Sequence, residues 1–238
     1  DNNIMLIDKK PGLIVHPDEN YHFDSLISRV KHYLYDNKEY SPEDENSFSP
    51  ALVNRIDRNT GGIVIAAKNA DSLKILNEKL KLREIDKFYL CIVQGILFPK
   101  EKTLTAYLDK NENQNRVYIS DIKKDGYKQI KTRYSVIKET QAFSLLDVEL
   151  LTGRTHQIRA HMAHIGHPLA GDGKYGTNSI NKMIKFPYQA LYSYKISFSF
   201  KTDAGQLNYL NNKSFTAKDI WFLSEFDSLD KKVTRRSN

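Results

Sequence analysis

Asp57 is a lone carboxylate among bases. In Asn54-Arg55-Ile56-Asp57-Arg58-Asn59-Thr60-Gly61-Gly62 it lies between two guanidiniums, ahead of two glycines and an apolar run. A cation within about 4 to 6 Å favours the ionised form of such a carboxylate. An ionised, oriented carboxylate acts as a nucleophile or steadies an oxocarbenium-like sugar. The plainer reading is a turn cap at Thr60 or a simple ion pair. Further along, Arg154 and Arg159 are five apart where a strand signal gives way to a helix signal, so one can point into a site while the other supports its wall.

Other chemistries find less support. His156, His161, His164 and His167 crowd one stretch, but 156 to 161 is a five-residue step and His167 lies beyond a glycine stop. A helical zinc pair uses histidines at i and i+4 with further ligands, so no metal is expected. "GDGKYG" lacks the spacing and the following Ser or Thr of a phosphate-binding loop, and no G-x-S-x-G occurs. A glycoside hydrolase would need a second acid opposite Asp57, and these motifs offer no obvious one.

The elements that must position these groups follow from periodicity. "NIMLIDKKPGLIVHP" reads as strand, Pro11-Gly12 turn and second strand. Asp24 or Ser25 caps a helix with Leu26, Ile27, Val30, Tyr33 and Leu34 on one face, and a polar, proline-bearing loop leads from it to Asp57. Residues 63–67 form a buried strand, and Asn69 caps a helix carrying Leu73, Leu76 and Leu80. "KFYLCIVQG" is a strand ending at Gly95, residues 134–151 are a hairpin pair, and a helix starts near Thr155 and stops at Gly166 and Pro168. "LYSYKISFSF" is the last strand. Strands joined mostly by turns give an α+β fold with a mixed, largely antiparallel sheet.

The chain has 238 residues, net charge +7 and one cysteine, Cys91, which excludes an internal disulfide. No apolar run approaches 18 residues and no secretory leader is evident, so a soluble, cytoplasmic protein is expected. The basic balance fits a polyanionic partner. Lys123, Lys124, Lys128, Lys131 and Arg133, interleaved with Tyr127 and Tyr134, are either a solvated hairpin or a nucleic-acid contact.

Four blocks, in order, resemble the RluA-type family of pseudouridine synthases. "DNNIMLIDKKPGLIVHP" is similar to its opening strand and K-P-x-G-L-x-x-H-P turn, and "NRIDRNTGGIVIAAKN" to its H-R-L-D-x-x-T-S-G-L motif. "KFYLCIVQG" fits K-x-Y-x-A-x-V-x-G, and "LLTGRTHQIRAHMAHIGHPLAGDGKYG" follows the family's longest motif almost residue for residue. Asn54, Ile56 and Gly61 stand where histidine, leucine and serine are usual, Cys91 where alanine is, and Tyr192 where a histidine is offered.

The resemblance implies a pseudouridine synthase fold and the isomerisation of uridine to pseudouridine in RNA, without cofactor or metal. By position, Asp57 is the catalytic aspartate, Tyr89 the tyrosine that stacks on the target base and Arg159 the arginine paired with the aspartate. Arg55 matches the arginine that fills the space left by the flipped nucleotide, and Arg58, Arg154, His156 and Lys87 are further RNA contacts. The glycines after Asp57 let the backbone turn tightly beside the substrate. A catalytic domain over residues 1–225 and a polar, basic tail over 226–238 are expected, without the upstream S4-type domain of many members. The implied partner is ribosomal RNA, with transfer RNA the alternative, and the implied state a monomer. A noncatalytic RNA-binding relative is the remaining reading. Whether the aspartate attacks C1′ or a glycal forms is not decided by sequence.

Overall fold

The structure is a computed structural model, and it describes residues 1–17, 24–44, 47–111 and 114–234. In chain order the elements are β1 (Ile4–Lys9), α1 (Leu26–Asp36), β2 (Ala51–Leu52), β3 (Gly61–Ala67), α2 (Ala70–Lys81), β4 (Ile85–Gln94), β5 (Glu101–Asn111) and β6 (Arg116–Ser120). They continue with β7 (Lys128–Glu139), β8 (Phe143–Glu149), α3 (Gln157–His164), α4 (Asn178–Ile184), β9 (Leu191–Phe198), β10 (Ser214–Thr216) and α5 (Leu229–Thr234). The architecture is α+β with largely antiparallel strand pairing, as the sequence pattern anticipates. The chain divides into two units, Asp1–Asp86 with Lys195–Ala217, and Lys87–Tyr194 with the chain from Lys218 on.

In the first unit β3 is buried at all seven positions, so it reads as a continuous apolar run without alternation. It pairs antiparallel with β1, from Ile4↔Ala67 to Lys9↔Gly62, and with the two-residue β2. Ile63, Ile65, Leu76, Ile196, Phe198 and Leu207 form the core. Truncating a side chain such as Leu76, which is fully buried, costs roughly 2 to 5 kcal/mol. Both anticipated caps form: Ser25 Oγ accepts from the Ser28 amide at 3.3 Å, and Asn69 Oδ1 from the Ser72 amide at 2.9 Å. The second strand expected around "LIVHP" does not form. Among the described residues it makes the isolated bridge Ile14↔Ser25, because that chain turns to meet the start of α1.

In the second unit the strand order is β4-β8-β7-β5-β6, antiparallel throughout. The expected β7–β8 hairpin is present, with a bulge between Val136 and Lys138. Residues 121–138 are not a hairpin. Tyr107 of β5 faces Ser120 of β6 on one side and Gln129 of β7 on the other, so the intervening segment is a loop crossing the end of β5. Residues 226–234 form a 3-10 turn and α5 where a polar tail is expected, because Phe226 and Leu229 supply buried anchors. The last four residues of that tail lie outside the described residues. Helix α3 carries Arg159 and His161 at buried positions beside Ile158 and Met162, which is why its apolar stripe is poorly marked.

Candidate active site

The first unit shapes the loop that carries Asp57. Lys9, at the last position of β1, is 1% exposed, and its ammonium donates to the carbonyls of Lys10 (3.1 Å), Leu13 (2.8 Å) and Arg58 (2.9 Å). The Gly12 amide also donates to the Arg58 carbonyl at 2.9 Å, and Arg58 Nε returns a bond to the Gly12 carbonyl at 3.0 Å. The Arg58–Asn59 peptide, one beyond Asp57, is thus clamped by the residue 9–13 turn. A bond from the Thr60 amide to the Asp57 carbonyl, 3.1 Å, closes the turn from within. The Asp57 main chain thus takes part in the turn at Thr60.

Around this clamp the side chains sort by burial. Ile56 is buried and anchors the loop, Asp57 is half-buried, and Arg55 and Arg58 are exposed. Asn54 departs from the family pattern yet ties the loop to β3, donating to the Ile63 carbonyl (3.3 Å) and accepting from the Ile65 amide (2.8 Å). Its amide reproduces the donor and acceptor of a strand backbone. Burial, and then the nearby Arg55 charge, lower the pKa of His16. Burial pulls the Lys9 ammonium down to about 8, against the charge of Asp57, which raises it. Lys9 is therefore a cation whose charge acts on Asp57, in addition to the arginines that the sequence suggests.

The second unit holds the other expected residues. Tyr89 on β4 is buried, 5% exposed. Lys87, two residues earlier, borders the loop before α3: a Cβ built on Gly153 would stand 3.4 Å from Lys87 Nζ. Arg154 in that loop is exposed. His156 precedes α3 in the left-handed region, φ 52°, a conformation a side-chain-bearing residue adopts at a cost. Its Nδ1 is 3.0 Å from the Tyr175 hydroxyl. Arg159, 7% exposed, donates from Nε to Asp172 Oδ2 at 2.7 Å and from Nη2 to Asp172 Oδ1 at 3.0 Å. Tyr175 lies beside this pair, with Arg159 Cζ 5.3 Å and Arg116 Cζ 5.1 Å from its ring centroid.

The four histidines go to different partners. His156 meets Tyr175, His161 Nδ1 meets Thr132 Oγ1 at 3.0 Å, His164 meets Asp121 at 2.9 Å and His167 meets the Gln94 carbonyl at 2.9 Å. Among the described residues, no three His, Cys, Asp or Glu side chains are grouped to hold a metal ion. Lys9, Asp172 and Tyr175 were missed as site residues. Each lay inside a motif already in view, Lys9 in the K-P-G turn and the others in "GDGKYG", but nothing in spacing alone gives a lysine three carbonyl partners.

These features accompany a family match. The model of RNA pseudouridylate synthases fits residues 3–164, and the chain belongs to that family. It is 35% identical over 178 residues to a protein of Chlorobaculum parvum named an uncharacterized RNA pseudouridine synthase, covering 74% of this chain and 54% of that one. It is 28% identical over 231 residues to the ribosomal large subunit pseudouridine synthase D of Borreliella burgdorferi, covering 97% and 68%. The chain thus spans between about half and about two thirds of the length of these relatives. In fold it resembles human RNA pseudouridylate synthase domain containing 1, with TM-score 0.72 at 18% identity over 99% of this chain and 91% of that one. Human RNA pseudouridylate synthase domain containing 4 gives a TM-score of 0.71. The pseudouridine synthase fold inferred from four sequence blocks is the one observed.

Proposed function

We propose that this protein isomerises uridine to pseudouridine in large-subunit ribosomal RNA, with Asp57 as its catalytic carboxylate. The observation that carries the reading is the clamp on the Asp57 loop. Lys9, Gly12 and Arg58 fix the chain beside Asp57 through three hydrogen bonds, while the Asp57 side chain stays half-buried and Arg55 and Arg58 stay exposed. A preorganised carboxylate avoids reorganisation when charge develops at the sugar. The relative named for the ribosomal large subunit supports the choice of RNA.

In this reading the N1–C1′ bond breaks with its electron pair left on N1, the uracil turns in place, a C5–C1′ bond forms, and the C5 proton leaves to restore the aromatic ring while N1 takes up a proton. A paired uridine cannot reach the carboxylate, so it leaves the stack at a cost of a few kcal/mol. Arg55 fills the space it vacates, and Arg58, Arg154, His156 and Lys87 hold the flanking RNA. Tyr89 backs the base, and Arg159 is the cation that partners Asp57. The protein acts as a cytoplasmic monomer. None of its helices is long and apolar enough to cross a membrane, among the described residues.

The test uses RNA tritiated at uridine C5, prepared as total RNA from cells lacking the gene. Wild-type protein should release tritium, with pseudouridine in the large-subunit RNA, whereas Asp57→Asn should release none and bind the RNA as before. Tritium release by Asp57→Asn would overturn the assignment. Pseudouridine confined to transfer RNA would move the substrate without changing the chemistry.

A further inference from the structure

We propose that Asp172 is a positioning residue of this reaction, fixing which edge of the Arg159 guanidinium is able to act. The inference rests on the reading of Arg159 as the partner of the catalytic carboxylate.

Asp172 is completely buried, and both oxygens of its carboxylate are hydrogen-bonded. Oδ2 accepts from Arg159 Nε, and Oδ1 accepts from Arg159 Nη2, the Lys174 amide (2.8 Å) and the Tyr175 amide (3.0 Å). Burial pushes its pKa up, but the bonds and charge of Arg159 and the two amides outweigh this, and the net shift is downward. The carboxylate is therefore held as an anion that cannot turn, since rotation would break bonds to its own loop. A guanidinium is a rigid planar fork. With its Nε–Nη2 edge on Asp172, only the Nη1–Nη2 edge is geometrically able to take a second carboxylate.

The loop bearing Asp172 is itself fixed from behind. Asn181 of α4 accepts from the Gly171 amide and donates to the Asp172 carbonyl, both at 2.9 Å, and the Gly176 amide bonds that carbonyl at 2.9 Å. At Gly171, φ is +76° and a Cβ would stand 2.4 Å from the Tyr188 carbonyl oxygen, so no other residue fits without moving the loop. The Tyr175 ring then holds the guanidinium from its own side, and its hydroxyl is pinned by the Val117 amide at 2.9 Å and by His156. Such a pair gains little net stability over apolar packing, because both charges lose water. What it does provide is direction, together with a countercharge that keeps Arg159 from being a lone buried cation.

The experiment compares single-turnover tritium release, RNA affinity and melting temperature for Asp172→Asn, Arg159→Met and the double variant, on the same tritiated total RNA. Misplacement of a catalytic group by about an ångström costs roughly 100-fold. Asp172→Asn should therefore slow turnover by about that factor, with RNA affinity changed less than about 3-fold. The double variant should be no slower than Arg159→Met, since Asp172 acts through Arg159. Asn181→Ala, which loosens the loop without touching the ion pair, should show a smaller loss of the same kind and serves if Asp172→Asn does not fold. Rate losses that multiply in the double variant, or normal turnover in folded Asp172→Asn, would overturn the proposal while wild-type activity and the Asp57→Asn defect stand. Absence of turnover by the wild type would remove the underlying reading, and this inference with it.

Discussion

Lys9 Nζ lies 2.9 Å from the carbonyl of Arg58, one peptide beyond Asp57, and the Gly12 amide shares the same oxygen at 2.9 Å. The end of β1 and the loop of the candidate catalytic residue are therefore one hydrogen-bonded unit. A single lysine satisfies three main-chain acceptors there.

Lys9→Met should leave those acceptors short of a donor inside the protein. Each buried polar group left unsatisfied costs about 1 to 3 kcal/mol. Removing the buried charge returns part of this, so the expected net loss is about 2 kcal/mol, with slower turnover at unchanged RNA affinity. Chemical denaturation and tritium release measure the two. The same variant has a pH signature. The folded ammonium has a pKa of about 8 against an ordinary 10.5, so between these values the unfolded chain binds the proton more and wild-type stability rises with pH. Lys9→Met should lack that rise; an identical profile would show that the lysine is not the titrating group.

His161 should contribute to the loss of stability in acid. Burial, and then the charge of His164, lower its pKa to about 4, while Asp121 raises it. The folded pKa lies below the usual 6.5, so the unfolded chain binds the proton first and stability is lost as pH falls from about 6.5 through 4. A shift of that size corresponds to roughly 3 kcal/mol. Denaturation midpoints for wild type and His161→Asn across this window test it: the variant should be less stable at pH 7 but lose less on acidification.

The basic segment should separate by position. Lys123, Lys124 and Lys128 are exposed, whereas Arg133 is drawn to Glu149 at 3.3 Å and sits 3.8 Å from Glu101. Alanine at the three lysines should weaken RNA binding and flatten its salt dependence, by a slope of about 0.7 to 0.9 for each phosphate no longer neutralised. Arg133→Ala should leave the slope unchanged. Filter binding between low and moderate salt distinguishes the two, and equal slopes for all variants would make the whole segment a solvated surface.

Chelation should leave turnover unchanged. The histidines that suggested a metal meet Tyr175, Thr132, Asp121 and the Gln94 carbonyl separately. Activity lost in EDTA and restored by zinc would reopen that possibility.

Local features were the ones readable from residue order. The caps at Ser25 and Asn69, the β7–β8 hairpin and the Asp57 turn were legible because each depends on residues within a few positions of one another. The order of four motif blocks was enough to name the family and hence the fold. Where locality failed, so did the reading: the strand expected after Gly12 gave way to a bridge to Ser25, and the supposed 121–138 hairpin was split by β5. The partners of buried charges were decided by tertiary structure alone. Lys9 serves carbonyls at 10, 13 and 58, and Arg159 is gripped by Asp172, thirteen residues on. A charge removed from water must be met by whatever donors and acceptors the packed chain brings within about 3 Å, and no periodicity in the sequence encodes which those will be.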